Sequence, residues 1–134
     1  MRIGLYGGAF DPVHVGHLLL AEQCREQCQL DEVWFVPTGQ PPHRAALRAP
    51  AQHRFEMLKL ATAGLKEFVV SRIELDRATT SYTVETLRLL NAERPSDEFS
   101  LLLGADSLRD FMSWREPEAI AQLAEIIAVN RGPH

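Results

Sequence analysis

The chain has 134 residues, 46% of them hydrophobic and 24% charged, an ordinary globular composition with room for one domain over residues 1–134. Its formal charge of −4 argues against a general nucleic-acid binder, and no apolar run approaches the roughly 20 residues that span a bilayer. Gly7, Gly8 and Asp11 follow the N-terminus too closely for a signal peptide, so the expectation is a cytoplasmic protein with no membrane and no nucleic-acid partner.

Residues 2–6, RIGLY, read as a short buried strand, and 15–28 as a helix carrying Leu18, Leu19 and Ala21. Cys24 and Cys28 lie four apart on that helix, which is neither a zinc nor a redox Cys-x-x-Cys spacing, and are expected as free thiols. Residues 33–36 form a second strand ended by Pro37, with Trp34 inside it as a packing residue. The segment 37–50 carries Pro37, Gly39, Pro41, Pro42 and Pro50 and reads as a loop. A helix over 51–63 closes at Gly64, followed by a third strand at 68–70, with 73–75 as a candidate extension. Val84, Leu87 and Leu90 mark a helix over 83–92, and 99–103 is a fourth strand. A short helix over 106–112, a second opened by Glu116-Pro117, and a fifth strand at 126–129 complete the pattern.

Strands alternating with helices, and apolar at successive positions, describe a parallel sheet covered on both faces. The expected fold is therefore α/β and doubly wound, with strand one central and strand four beside it where the winding reverses. The loops after those two strands diverge at such a switch point and leave a crevice. Here they read GGAFDPVH and GADS, the two segments richest in chemistry.

In GGAFDPVHVGH, residues 7–17, the bare backbone of Gly7 and Gly8 admits a ligand or the following helix at close range, as does Gly16 on the first helical turn. A helix N-terminus offers unpaired N–H groups and partial positive charge, which suits an anion. His14 and His17, three apart, can lie on one side of that turn and donate to a chain of phosphates. The same residues fit a plain glycine turn with a histidine helix cap. A His-x-x-His zinc pair lacks a third and fourth ligand at suitable spacing, so no metal site is assigned to the chain.

This segment resembles the signature of the nucleotidyltransferase superfamily, His/Thr-x-Gly-His after the first strand of a Rossmann-like domain. FVPTGQPPHR, SYTVETL, GADSL and SWREPEAI follow in order, and together the five stretches resemble the bacterial nicotinate-nucleotide adenylyltransferase family over nearly the whole chain. The resemblance implies transfer of the adenylyl group of ATP, bound with Mg2+, to nicotinate mononucleotide, giving the dinucleotide and pyrophosphate. It implies that His17 holds the α-phosphate region and His14 the neighbouring phosphates, as the catalytic pair. Gly8, Ala9, Phe10, Gly16 and Gly104 would border ATP, and Asp106 would accept hydrogen bonds from the ribose, although Asp also favours a helix N-cap. No Asp or Glu occurs from Val33 to Phe55, while His43, Arg44, Arg48, His53 and Arg54 do, which suits either a phosphate-facing flap or a solvated loop. The resemblance implies His43 and Arg44 as mononucleotide contacts, with Arg48 left open. It also implies that Trp114 faces the pyridine ring and that backbone near Thr83 and Trp114 holds the nicotinate carboxylate. Trp114 as a core anchor is the alternative, and Tyr82 fits either role.

Chains of that family usually continue past the fifth strand to a Ser/Thr-rich turn and a helix with a phosphate-binding arginine, whereas this sequence ends NRGPH, and Arg131 does not match by position. The expectation is a domain lacking its C-terminal segment, with weak or absent turnover. Two other readings stand beside it: an adenylyltransferase for another phosphate monoester such as phosphopantetheine, whose family has Thr at the position of His14, and a non-catalytic nucleotide-binding fragment.

Overall fold

In the computed structural model, which describes residues 1–39, 49–77 and 82–129, five parallel strands form one sheet. In chain order the elements are β1 (Arg2–Gly8), α1 (Val15–Gln27), β2 (Glu32–Pro37), α2 (Ala51–Ala61), β3 (Phe68–Val70), α3 (Thr83–Glu93), β4 (Glu98–Leu103), α4 (Ala105–Asp110), α5 (Pro117–Leu123) and β5 (Glu125–Ala128). The strand order is β3-β2-β1-β4-β5, so β1 is central and the winding reverses between β1 and β4. This is the doubly wound arrangement that the alternation of apolar runs predicts.

The period of two along each strand sorts the core into two halves. Ile3 and Leu5 of β1, Val36 of β2 and Phe99, Leu101 and Leu103 of β4 face one side, where Val84, Leu87 and Leu90 of α3 and Ile120 of α5 cover them. Tyr6, Val33, Phe35 and Leu102 face the other side, under Leu20, Ala21 and Cys24 of α1 and Leu58 of α2. Two helices meet the sheet through a narrow apolar stripe: Leu20, Ala21 and Cys24 on α1, and Val84, Leu87 and Leu90 at helical spacing on α3. Trp34 packs, as expected, against the α3 side, with its indole N–H donating to Glu32 at 2.9 Å and Arg94 lying 5.2 Å over its ring.

Local hydrogen bonds explain where the elements depart from the sequence pattern. Gly7 and Gly8 end β1 rather than open a turn, because Gly8 pairs with Pro37 and its carbonyl accepts the Thr38 N–H at 2.9 Å. The extension of β3 at 73–75 does not form. The Ile73 N–H donates to Ser71 Oγ at 3.2 Å and the Asp76 N–H to the Arg72 carbonyl at 2.9 Å, so the chain turns away from the sheet edge. The helix expected over 106–112 is α4 followed by a single 3-10 turn, Phe111–Ser113, with the Ser113 hydroxyl donating to the Asp110 carbonyl at 2.6 Å.

Gly39 shows how closely the segment after β2 meets the turn after β3: a Cβ there would stand 2.8 Å from the Glu74 backbone oxygen. Backbone cannot swing aside as a side chain can. Gly39→Ala is therefore expected to lower unfolding free energy by about 1–3 kcal/mol, measured by denaturant titration. An unchanged midpoint would mean the two segments separate at no cost.

Candidate active site

The C-terminal ends of β1 and β4 open into a cleft of about 1050 Å3. Gly8, Ala9, Phe10 and His17 line it from the β1–α1 segment, and Gly104 and Asp106 from the start of α4. Thr83, at the start of α3, and Trp114, after the 3-10 turn, line it as well. His17 adjoins the core half under α1 and Trp114 the half under α3 and α5, so the cleft crosses the edge of the sheet from one face to the other.

The segment between β1 and α1 is held by its aromatic ring. Phe10 adopts φ +47, a left-handed conformation unusual for a side chain of this size. Its ring, 4% exposed, packs edge-on against Tyr6 at 5.4 Å, Phe35 at 5.6 Å and His17 at 5.1 Å. The burial of that ring offsets the backbone strain. His17 thereby rests on an aromatic floor at the start of α1.

The two histidines cap α1 reciprocally. His14 Nδ1 accepts the Gly16 N–H at 3.2 Å, and His17 Nδ1 accepts the His14 N–H at 3.0 Å. The rings stack with centroids 3.9 Å apart. An imidazole that accepts at Nδ1 carries its proton on Nε2 when neutral, so each ring is a donor at its outer nitrogen. Gly16 makes room for this: a Cβ there would lie 3.0 Å from the His14 ring. Only His17 of the pair lines the cleft; His14 is exposed behind it, and neither it nor Gly16 forms part of the lining.

Asp106 is not the N-cap of α4, a position that Gly104 occupies; it sits in the first turn, exposed and ion-paired with Arg109. Trp114 is partly core and partly cleft lining. It packs against the core at 5.5 Å from the Phe111 ring while presenting a surface to the cleft. Arg115 stacks 3.8 Å over Tyr82, and Arg88 pairs with Glu116 at 2.9 Å, so the turn bearing Trp114 is fastened to α3 on both sides. Tyr82 likewise lines the cleft and packs. His43, Arg44 and Arg48 lie outside the described residues, as does Arg131.

Two charged groups escaped the sequence reading. Arg54, counted there with a phosphate-facing basic stretch, is instead 1% exposed and faces inward from α2 beside Leu58. Its guanidinium donates to the carbonyls of Ala9 at 2.9 Å, Thr38 at 2.8 Å and Ala49 at 3.1 Å. Burial pushes it below its ordinary pKa, and the nearby Asp11 carboxylate opposes that shift. The signal was present: Arg54 and Leu58 are four apart, so an arginine occupies the apolar stripe of the helix. The other is Glu74, in the turn after β3. It lines the cleft and accepts the Thr86 hydroxyl at 3.1 Å, which in turn accepts Arg77 Nη1 at 3.0 Å. Among the described residues no three His, Cys, Asp or Glu side chains gather into a metal site.

A family model described as cytidylyltransferase-like matches residues 5–133. The probable nicotinate-nucleotide adenylyltransferase of a Thermus thermophilus strain is 50% identical over 131 residues, 98% of this chain and 70% of that one. A protein of the same description from Leifsonia xyli is 46% identical over 133 residues, 99% of this chain and 66% of that one. Among solved structures, the nicotinic acid mononucleotide adenylyltransferase of Plasmodium falciparum, complexed with NaAD, superposes with a TM-score of 0.80. At 19% identity, over 96% of this chain and 74% of that one, it shares the fold.

Burial holds the Glu74 carboxyl above the usual carboxylate range, against smaller opposing effects of Thr86 and Arg77. The stability that its neutral form contributes is complete below the ordinary Glu value and is lost as pH rises from there through the raised one. Glu74→Gln should therefore gain melting temperature relative to the parent as pH rises above the ordinary Glu value, and the gain should level off once the raised one is passed. Thermal melts across that range check it; a difference that shrinks with rising pH contradicts it.

Proposed function

Because the chain belongs to the cytidylyltransferase-like family, and within it to the nicotinate-nucleotide adenylyltransferases, we propose that it transfers the adenylyl group of ATP to nicotinate mononucleotide in NAD biosynthesis. Residues 1–134 act in this reading as one nucleotide-binding domain. The observation that carries it is the cleft, bounded by the capped start of α1 at one end and by Thr83 and Trp114 at the other, as a substrate with two nucleotide halves requires.

The substrate is ATP complexed with Mg2+, the ion travelling on the phosphates it neutralises. An oxygen of the mononucleotide phosphate attacks the α-phosphorus in line. A new phosphoanhydride bond forms, the bond to the bridging β-oxygen breaks, and pyrophosphate leaves with that electron pair. The attacking oxygen is already anionic, so the reaction asks the protein for alignment and charge stabilisation rather than a strong base. His17, donating from Nε2, and the N-terminus of α1 serve the α-phosphate. His14 braces His17 through the stacked ring and reciprocal cap, and from outside the cleft lining it is assigned to the phosphates that extend beyond the α-phosphate. The backbone of Gly8, Ala9, Phe10 and Gly104 borders ATP, with Gly16 admitting the His14 ring, and Asp106 accepts from the ribose.

At the other end, Trp114 stacks on the pyridine. The backbone N–H groups at the start of α3, near Thr83, receive the nicotinate carboxylate. The N-cap residue, Tyr82, makes no side-chain cap, which among the described residues leaves donors at that helix start for a ligand. An amide in place of the carboxylate would turn its NH2 toward the same donors and bind less well. His43 and Arg44 are assigned to the mononucleotide phosphate. Among the described residues no helix is long and apolar enough to cross a membrane; that the reaction runs in the cytoplasm, with its substrates, is part of the same proposal.

Pyrophosphate release should require ATP and nicotinate mononucleotide together and should not occur with phosphopantetheine; release that ignores the mononucleotide defeats the reading. In a version extended through the C-terminal segment that the family usually carries, His17→Ala should lower kcat by about 100-fold or more while the circular dichroism spectrum is kept. A loss of only a few-fold would remove His17 from the reacting phosphate.

A further inference from the structure

The buried guanidinium of Arg54 is not itself part of the cleft lining, yet it holds residues that are. Its Nη1 draws the Ala9 carbonyl inward at 2.9 Å. The Ala9–Phe10 peptide is trans, Asp11–Pro12 being the cis bond among the described residues. In a planar trans peptide the N–H points opposite to the C=O. Fixing the Ala9 oxygen inward therefore turns the Phe10 N–H outward, at residues that border the cleft. That N–H has no acceptor among the described residues.

We propose that Arg54 is a positioning residue: by anchoring the Ala9 carbonyl it aims the Phe10 N–H into the cleft as a donor to the phosphate chain of the bound nucleotide. The inference rests on the adenylyl-transfer reading for the identity of that nucleotide. Phe10 has a left-handed φ of +47, and the anchored carbonyl on one side and the packed ring on the other hold it there. The same guanidinium ties in the Thr38 carbonyl, and the Asp11 carboxylate accepts the Ala49 N–H at 3.0 Å. The fork of donors explains why this is an arginine. A lysine carries a similar charge but cannot direct three donors along the planar geometry that Ala9, Thr38 and Ala49 require.

Arg54→Lys and Arg54→Gln, each with its melting temperature recorded, are compared with the parent chain for binding of ATP and of adenosine by titration. The expected result is a loss of ATP affinity of about tenfold, the worth of one charge-assisted hydrogen bond, with adenosine affinity unchanged. Equal losses for ATP and adenosine would mean a general structural role and overturn the proposal; so would unchanged ATP affinity. A measurement on the unmutated chain holds even if both variants unfold: the Phe10 amide resonance should shift on adding ATP and stay put with adenosine. An unmoved Phe10 amide in a chain that binds ATP overturns the positioning role and leaves adenylyl transfer standing. A parent chain that binds no ATP defeats both.

Discussion

Because β1 lies between β2 and β4, the chain leaves its C-terminal end toward one face while the chain leaving β4 turns toward the other. Two segments that must part company leave a gap, and that gap is the cleft. Everything chemical in the molecule follows from this reversal of winding. It sets His17 on the α1 side and Trp114 on the α3 and α5 side, with the bare end of the sheet between them. A dinucleotide has the same plan, two bases joined by a charged middle.

Packing alone would not fix the shape of the segment after β1. A residue with positive φ and a buried charge within one short stretch are both unfavourable taken singly. They are stable together because each satisfies the other. Arg54 loses its hydration on burial and regains hydrogen bonds by donating to three carbonyls, which have no other donor among the described residues. Phe10 accepts an uncommon backbone conformation and buries an aromatic ring among Tyr6, Phe35 and His17. An apolar residue at position 54 would spare the cost of a buried cation, and it would also release the peptide that the site depends on.

The other end of the cleft is built from exposed charge rather than buried charge. Glu116 adopts φ +50, and its carboxylate is held by Arg88 across the gap to α3. Arg115, one residue earlier, lies flat on Tyr82. Pairs this exposed contribute little stability in salt solution, so their work is to orient the turn on which Trp114 stands. One end of the site is consequently rigid through its interior and the other through its surface.

The order of strands and helices, the two cores and the pairing of the loops after β1 and β4 were legible from the sequence, because period two and period 3.6 leave their mark on every few residues. The motif around His14 and His17 was legible too, as a run of residue types with few other uses. What the sequence left open is which of those residues face the ligand. His14 and His17 look equivalent in one dimension; reciprocal capping puts one in the cleft and the other behind it. Arg54 looked like one cation of a basic stretch, and only folding shows it turned inward to three carbonyls from three separate segments. Glu74 belonged to an expected strand extension until the turn set the residue in the cleft lining, with its buried carboxyl on the Thr86 hydroxyl. Local periodicity records how a residue meets its own helix or strand. Its charge state, its partners and the direction of its peptide depend on neighbours distant in sequence, and those are settled only when the chain closes on itself.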